Sequence, residues 1–337
     1  MGRVRRSLVA LIGVLACVLT AALGGCAGAT GADPSGGPRI AAIFSGPTTD
    51  GDYNAIGLQA LEAAEAEGAE IAYSEAVAVP DIERVMREYI SDGYNILWTH
   101  GSQFMQASVK LAKEFPELTF ITESDGEPKE LLDNIWYFDR AFQVPFYAIG
   151  VLASELSVTR QMGYVGGLSL PFSYSEVHAI AQAVADRGSD LKINAVWTGD
   201  FNDPQKAQQI TSQMIDGGAD VIIGSLNLGA IGTLQAVNDE PPGEVWVTSK
   251  YTDKSQYAPE HLAASVIYDF TDPLVELLGN IKDGERGGYY QMGFDAGISI
   301  DLADDVPPAV AEAVEQAIAD IKSGAITVAL NFEPYKS

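Results

Sequence analysis

The chain has 337 residues, with 20 Lys and Arg against 46 Asp and Glu, for a formal charge of −26 at pH 7. A surface this acidic repels phosphate backbones and argues against nucleic acid as a partner. At roughly 100–200 residues per domain the length suggests two domains, and 47% hydrophobic against 20% charged residues is the make-up of a packed chain.

The chain opens on a targeting segment. Arg3, Arg5 and Arg6 precede a nearly unbroken run of apolar and small residues from Ser7 to Leu23, then Gly24-Gly25-Cys26. A basic head, an apolar stretch and small residues at its end read as a secretory signal. The stretch lies at the lower limit for a membrane span, and its small-residue end favours cleavage. The cysteine that follows makes the segment resemble a bacterial lipobox. Residues 1–25 are expected to be removed, Cys26 to carry lipid, and the Gly/Ala/Ser/Pro-rich segment 26–38 to act as a flexible tether. Cys17 leaves with the signal, so the mature fold has no cysteine for a disulfide or a metal site. No later stretch reaches 18 apolar residues, so the protein is expected to hang from the outer face of the cell membrane.

Arg39 to Phe44 is an apolar run ended by Gly46-Pro47 and reads as a buried strand. Asn54 to Glu67 reads as a helix stopped by Gly68, and Ala69 to Ser74 as a second strand. In Asp81 to Ser91, the residues Ile82, Val85, Met86, Tyr89 and Ile90 share one helical face. Asn95 to Thr99 is the next strand. Fully apolar strands alternating with helices indicate a parallel sheet covered on both faces.

The unit then recurs. Leu191 to Trp197 reads as a strand, Asp203-Pro204 as a capped helix start, Gly217-Gly218 as its stop and Asp220 to Gly224 as a strand. The junction Ile90-Ser-Asp-Gly-Tyr-Asn-Ile-Leu-Trp-Thr99 parallels Ile215-Asp-Gly-Gly-Ala-Asp-Val-Ile-Ile-Gly224, which predicts two similar α/β lobes. Gly287 to Ile300 reads as hairpin-like, and Val310, Ala313, Val314, Ala317, Ile318 and Ile321 mark a late helix. Ligands of open α/β sheets sit beyond the carboxyl ends of the strands. Two such lobes facing each other predict a clamshell that closes by a hinge.

At the expected loops the sequence resembles the BMP (basic membrane protein) family of substrate-binding lipoproteins, which deliver purine nucleosides or bases to ABC transporters. The resemblance runs from Arg39 to about Asn331. It rests on Asp50-Gly-Asp-Tyr-Asn54, Phe115-Pro-Glu-Leu-Thr-Phe120, Gly163-Tyr-Val-Gly-Gly167, Gly218-Ala-Asp-Val-Ile222 and Tyr257-Ala-Pro259, in the family's order. It implies a two-lobed, periplasmic-binding-protein-like clamshell. One α/β lobe is expected from 39–143 with about 251–283, the other from 144–250 with about 284–332. It implies capture of a purine nucleobase or nucleoside by a lipid-anchored monomer that hands it to an ABC permease, with no cofactor, metal or catalytic residue.

A purine needs aromatic faces and, at its rim, carboxylates or amides. The resemblance assigns stacking to Tyr53 and edge contacts to Asp50 and Asn54; these two could equally cap the following helix. Phe201 is the candidate for the opposite face, with Asp200 beside it. His100 ends a strand near the expected cleft. Asp139 and Arg140 could face the cleft, or equally be hinge or surface residues. Tyr251 stands where the family has the first Asp of Asp-x-Asp, and Asp253 matches the second. Tyr268 and Asp269 stand where a lysine is expected, which puts ribose recognition in doubt. A sugar or signal molecule bound for a membrane sensor is the alternative. A hydrolase has less support, since His100, His178 and His261 lie far apart and no nucleophile or phosphate-loop motif is present.

Overall fold

In the computed structural model, which describes residues 37–336, the chain builds one sheet, crosses over, and builds a second like it. The expected signal 1–25 and lipid-bearing Cys26 lie outside the described residues.

The first part runs β1 (Arg39–Phe44), α1 (Tyr53–Ala66), β2 (Glu70–Ser74), α2 (Ile82–Ser91), β3 (Ile96–His100), α3 (Met105–Glu114), β4 (Thr119–Ser124) and β5 (Ile135–Asp139). Helix α4 (Gln143–Leu156) leads into the second part: β6 (Gln161–Gly166), α5 (Pro171–Asp186), β7 (Lys192–Trp197), α6 (Pro204–Asp216), β8 (Val221–Ser225), α7 (Ala230–Asn238), β9 (Trp246–Tyr251) and β10 (Leu262–Tyr268). The chain ends with α8 (Thr271–Lys282), β11 (Gly288–Gln291), β12 (Ile298–Leu302) and α9 (Pro308–Lys322).

Strand order is β2-β1-β3-β4-β5-β11 in one sheet and β7-β6-β8-β9-β10-β12 in the other, the same winding twice. Among the described residues the named strands all pair in parallel except β10 with β12. Strands β3, β4, β5 and β8 are buried along their whole length, as continuous apolar runs between two helical layers must be. The expected elements are present within a residue or two. Asp203 caps α6 by accepting from the Lys206 backbone N–H at 3.0 Å, and Gly68 follows α1 at φ +90°.

Two boundaries differ from expectation. Segment 251–283 is shared: β10 pairs with β9 in the second sheet, while α8 packs on α1 of the first lobe. Gly287 to Ile300 is not a hairpin, because β11 joins β5 in the first sheet and β12 joins β10 in the second. A tight turn at Gly293–Ala296 makes that change of lobe. The chain therefore crosses between lobes at Asp139–Gln143, at Tyr268–Thr271 and after Gln291.

Helix α9 lies on α4, and the extended tail beyond it runs along α5. Gln182 donates to the Thr327 carbonyl at 3.0 Å and accepts from the Ala329 N–H at 2.9 Å; His178 Nε2 donates to the Glu333 carbonyl at 2.9 Å. The tail reaches the first lobe at Gly126, where a Cβ would lie 2.4 Å from Leu330 Cδ2.

Candidate functional site

The strand ends of both sheets face one cavity of about 320 Å³, lined from the first lobe by Ser45, Gly46, Tyr53, Asn54 and Gln103, and from the second by Leu168, Phe172, Phe201, Asn227 and Tyr251, with Arg140 between. Phe172 and Phe201 stack with ring centres 6.1 Å apart and planes 15° from parallel. A Cβ on Gly167 would lie 2.0 Å from Phe201 Cδ1, so glycine is required where the strand end passes under that ring.

Tyr53 opens α1 and brings the aromatic face of the first lobe. One side of its ring is covered by His100, stacked at 4.0 Å and 18°. Its hydroxyl donates to Glu123 and accepts from Arg140 Nη1 at 3.1 Å. His100 donates from Nε2 to the Tyr53 carbonyl at 2.8 Å, and its Nδ1 lies 2.5 Å from Glu123 Oε1. Burial alone would raise the Glu123 carboxyl, but His100 and Arg140 outweigh it and hold it below its ordinary range. Arg140 also pairs with Asp125 at 2.5 Å. Its guanidinium lies 4.4 Å from the centre of the Phe142 ring and 5.3 Å from that of Phe172.

The first loop spends its polar groups on the protein. Asp50 accepts from the backbone N–H groups of Asp52, Asn54 and Ala55, and from Asn54 Nδ2 at 2.7 Å. It therefore closes the start of α1, and it also accepts from Asn227 Nδ2 of the other lobe at 2.9 Å. Burial would raise its carboxyl; these hydrogen bonds, Asn54 foremost, bring it below the ordinary value. Asn54 Oδ1 accepts from the Gly46 N–H at 3.1 Å, so it sets the loop while lining the cavity. Asp52, nearly buried, pairs with Lys254 across the lobes at 3.0 Å.

Of the expected residues, Tyr53, Asn54, Asp200, Phe201 and Tyr251 meet at the cavity. His100 stands behind Tyr53. Asp139 lies outside the wall, in the hinge, where it accepts from the Ala141 N–H at 2.9 Å and from the Tyr289 hydroxyl at 2.5 Å. Asp253 is exposed and closes its own turn by accepting from Ser255. Asp200 accepts from the Asn202 N–H at 2.9 Å. Tyr251 ends β9 at φ +77°, a conformation unusual for a bulky residue and often held at sites of function.

Phe172, Asn227 and Asn202 were not anticipated as lining residues. The doubled winding could have found Phe172. Strands β1 and β6 are equivalent in the two sheets, so the loop after β6 should carry an aromatic as the loop after β1 does. Beneath this wall Lys250 is fully buried among Phe142, Phe172 and Tyr251 and pairs with Glu176 at 2.6 Å. Burial lowers its ammonium to about 8 although Glu176 opposes this.

Residues 38–329 match the family model described as Bmp, ABC transporter substrate-binding protein PnrA-like. A purine-binding protein of Brucella abortus is 24% identical over 293 residues, covering 85% of this chain and 81% of that one. A nucleoside-binding protein, BmpA, of Lactococcus lactis is 25% identical over 255 residues, covering 70% and 71%. A putative glucose-binding protein of Haloferax volcanii is 23% identical over 251 residues, covering 74% and 62%. Among solved structures, a solute-binding protein of an ABC transporter system from Conexibacter woesei superposes with a TM-score of 0.69 at 23% identity, over 88% of this chain and all of that one. Similar sheets, similar winding and a match along nearly the whole described chain agree: this protein belongs to the Bmp family of ABC transporter substrate-binding proteins.

Proposed function

We propose that the cavity takes a neutral purine, base or nucleoside, between the two lobes. In this reading the protein is held at the outer face of the membrane by lipid on Cys26 and passes its cargo to an ABC importer. The observation that carries the reading is the wall itself. Aromatic faces from both lobes, Tyr53 and the Phe172–Phe201 pair, border a small cavity with amides at its rim. Its volume is at the low end of the roughly 300–1,000 Å³ of small-molecule sites. Asp50, Asp52, Glu123, Asp125 and Asp200 outnumber Arg140 and Lys254 around it, which favours a neutral ligand over a nucleotide or another anion. Names of relatives point the same way. A sugar is the second reading, favoured by the Haloferax relative named as a glucose-binding protein.

The test is thermal unfolding of residues 27–337, stripped of co-purified ligand, against adenine, xanthine, adenosine, guanosine, inosine, ribose and glucose. Saturation at 100 times the dissociation constant adds about 2.7 kcal/mol, a shift of several degrees. Stabilisation by purines is the expected result. Stabilisation by glucose alone would replace it with the second reading. Tyr53→Ala and Phe201→Ala are each expected to weaken purine binding about tenfold or more, since base–aromatic stacking is worth ~1–3 kcal/mol.

A further inference from the structure

Two side chains of the cavity wall hold a buried polar atom with no hydrogen-bond partner among the described residues: Arg140 at Nε and Asn227 at Oδ1. Both residues are more than nine-tenths buried, at 3% and 7% exposure. The rest of each side chain is fully used. Arg140 directs Nη1 to the Tyr53 hydroxyl at 3.1 Å and lies 3.2 Å from Glu123; Nη2 reaches Ser102 at 3.0 Å and Asp125 at 2.5 Å. With the fork held on these groups and the plane set on Phe142, only the Nε–H remains to give.

Asn227 donates from Nδ2 to Asp50 Oδ2 at 2.9 Å and to Asn202 Oδ1 at 3.0 Å. A carboxylate only accepts, so the amide nitrogen must face Asp50. The amide cannot be turned over, and Oδ1 is left as a fixed acceptor. Leaving such a group unmet in the closed protein costs ~1–3 kcal/mol, whereas a ligand atom that meets it recovers that amount. A site built to hydrogen-bond its ligand therefore rejects analogues that lack the matching atom.

We infer that Arg140 Nε and Asn227 Oδ1 are the specificity determinants of the cavity, one donating to a carbonyl oxygen or ring nitrogen of the ligand, the other accepting an N–H. The aromatic walls hold any flat ring, and these two atoms choose among them. This rests on the purine reading above. The lobes contribute unequally: Arg140 stands at the first crossover, beside the networks of the first lobe, and Asn227 follows β8 of the second. Asn227 is also tied across the cleft to Asp50, so its acceptor takes up its place only as the lobes come together.

The experiment measures dissociation constants of adenine, hypoxanthine, guanine, xanthine and unsubstituted purine by calorimetry. Wild type, Arg140→Lys and Asn227→Leu are compared in residues 27–337, which contain the whole compact unit 37–337. Arg140→Lys keeps the cation and removes the Nε–H; Asn227→Leu keeps the volume and removes the acceptor. The expected result is that the spread between the tightest and weakest probe narrows tenfold or more in each variant. If either variant fails to fold by thermal unfolding, Arg140→Met or Asn227→Ala takes its place. Weakening of every probe by one common factor, or no change, overturns the inference, because both residues would then serve only closure or packing. Failure of wild type to bind any probe overturns the purine reading beneath it.

Discussion

Gly57 shows how one small residue positions the site. It lies inside α1, where glycine destabilises a helix by roughly 1 kcal/mol relative to alanine. A Cβ there would lie 2.7 Å from His100 Nε2 and 2.8 Å from Phe44 Cε1. The missing side chain lets His100 slide under the helix and stack on Tyr53, which in turn fixes the tilt of the cavity wall. Gly57→Ala is expected to lower stability by roughly 1–3 kcal/mol, through overpacking that exceeds the gain in helix propensity. Gly279, exposed in α8 with open space where a Cβ would go, is the control: Gly279→Ala should raise stability by roughly 0.5–1 kcal/mol. Denaturant unfolding of the two variants checks both signs; a Gly57→Ala protein as stable as wild type removes this role. Tyr53 itself was legible because an aromatic between Asp and Asn stands out in a loop after a strand. Its partners were legible in part: His100 and Arg140 stood out as candidates near the cleft, whereas Glu123 looks like an ordinary surface charge until β4 brings it behind the ring.

At the scale of elements, the turn before α1 meets the turn after β9. Asp52 and Lys254 form a buried pair there, with Thr252 donating to Asp52 at 3.2 Å. Burial pushes the Asp52 carboxyl up to about 6; Lys254 opposes this and the charge on Asp50 adds to it. Desolvation thus outweighs the pairing, as it often does for buried ions. A carboxyl raised in the closed arrangement favours closure while protonated. That contribution is complete below the ordinary value of 3.8 and is lost as the pH rises through about 6. Ligand affinity should therefore increase between about pH 7.5 and about pH 5, by roughly tenfold, and Asp52→Asn should flatten the profile. A wild-type affinity constant over that range would refute the assignment. Asp50 titrates below its ordinary value and leaves this window clear. The helices and strands flanking these turns were readable because period and glycine stops are local signals. Which sheet β10, β11 and β12 would join was not, since that is decided by pairing partners far away in sequence. Asp50 was legible only in part: its spacing allowed either a helix start or a ligand contact, and the structure uses it for the helix and for Asn227.

The whole molecule is one winding used twice, with strand orders that match position by position. That doubling was visible in the matching junctions at 90–99 and 215–224, and it explains why both lobes turn their strand ends to the same cavity. The crossovers were harder to place, because a crossover has no composition of its own. Here the first is marked by backbone conformation: Ala141 at φ +45° follows Arg140. The tail beyond α9 adds a further connection. It is fastened to α5 by Gln182 and His178 and rests by Leu330 and Phe332 on Gly126, next to the Asp125 that pairs with Arg140. Mechanically such a segment is a rein. A jaw that swings about its crossovers travels as far as the slack in the rein allows. Ending the chain at Gly324 should widen the ligand-free molecule in small-angle scattering and leave the ligand-bound one unchanged, with faster release in stopped-flow; equal ligand-free dimensions would show that the rein carries no load. Capture and release are then set by the gape of the cleft, and the last residues of the chain help to decide how wide it opens.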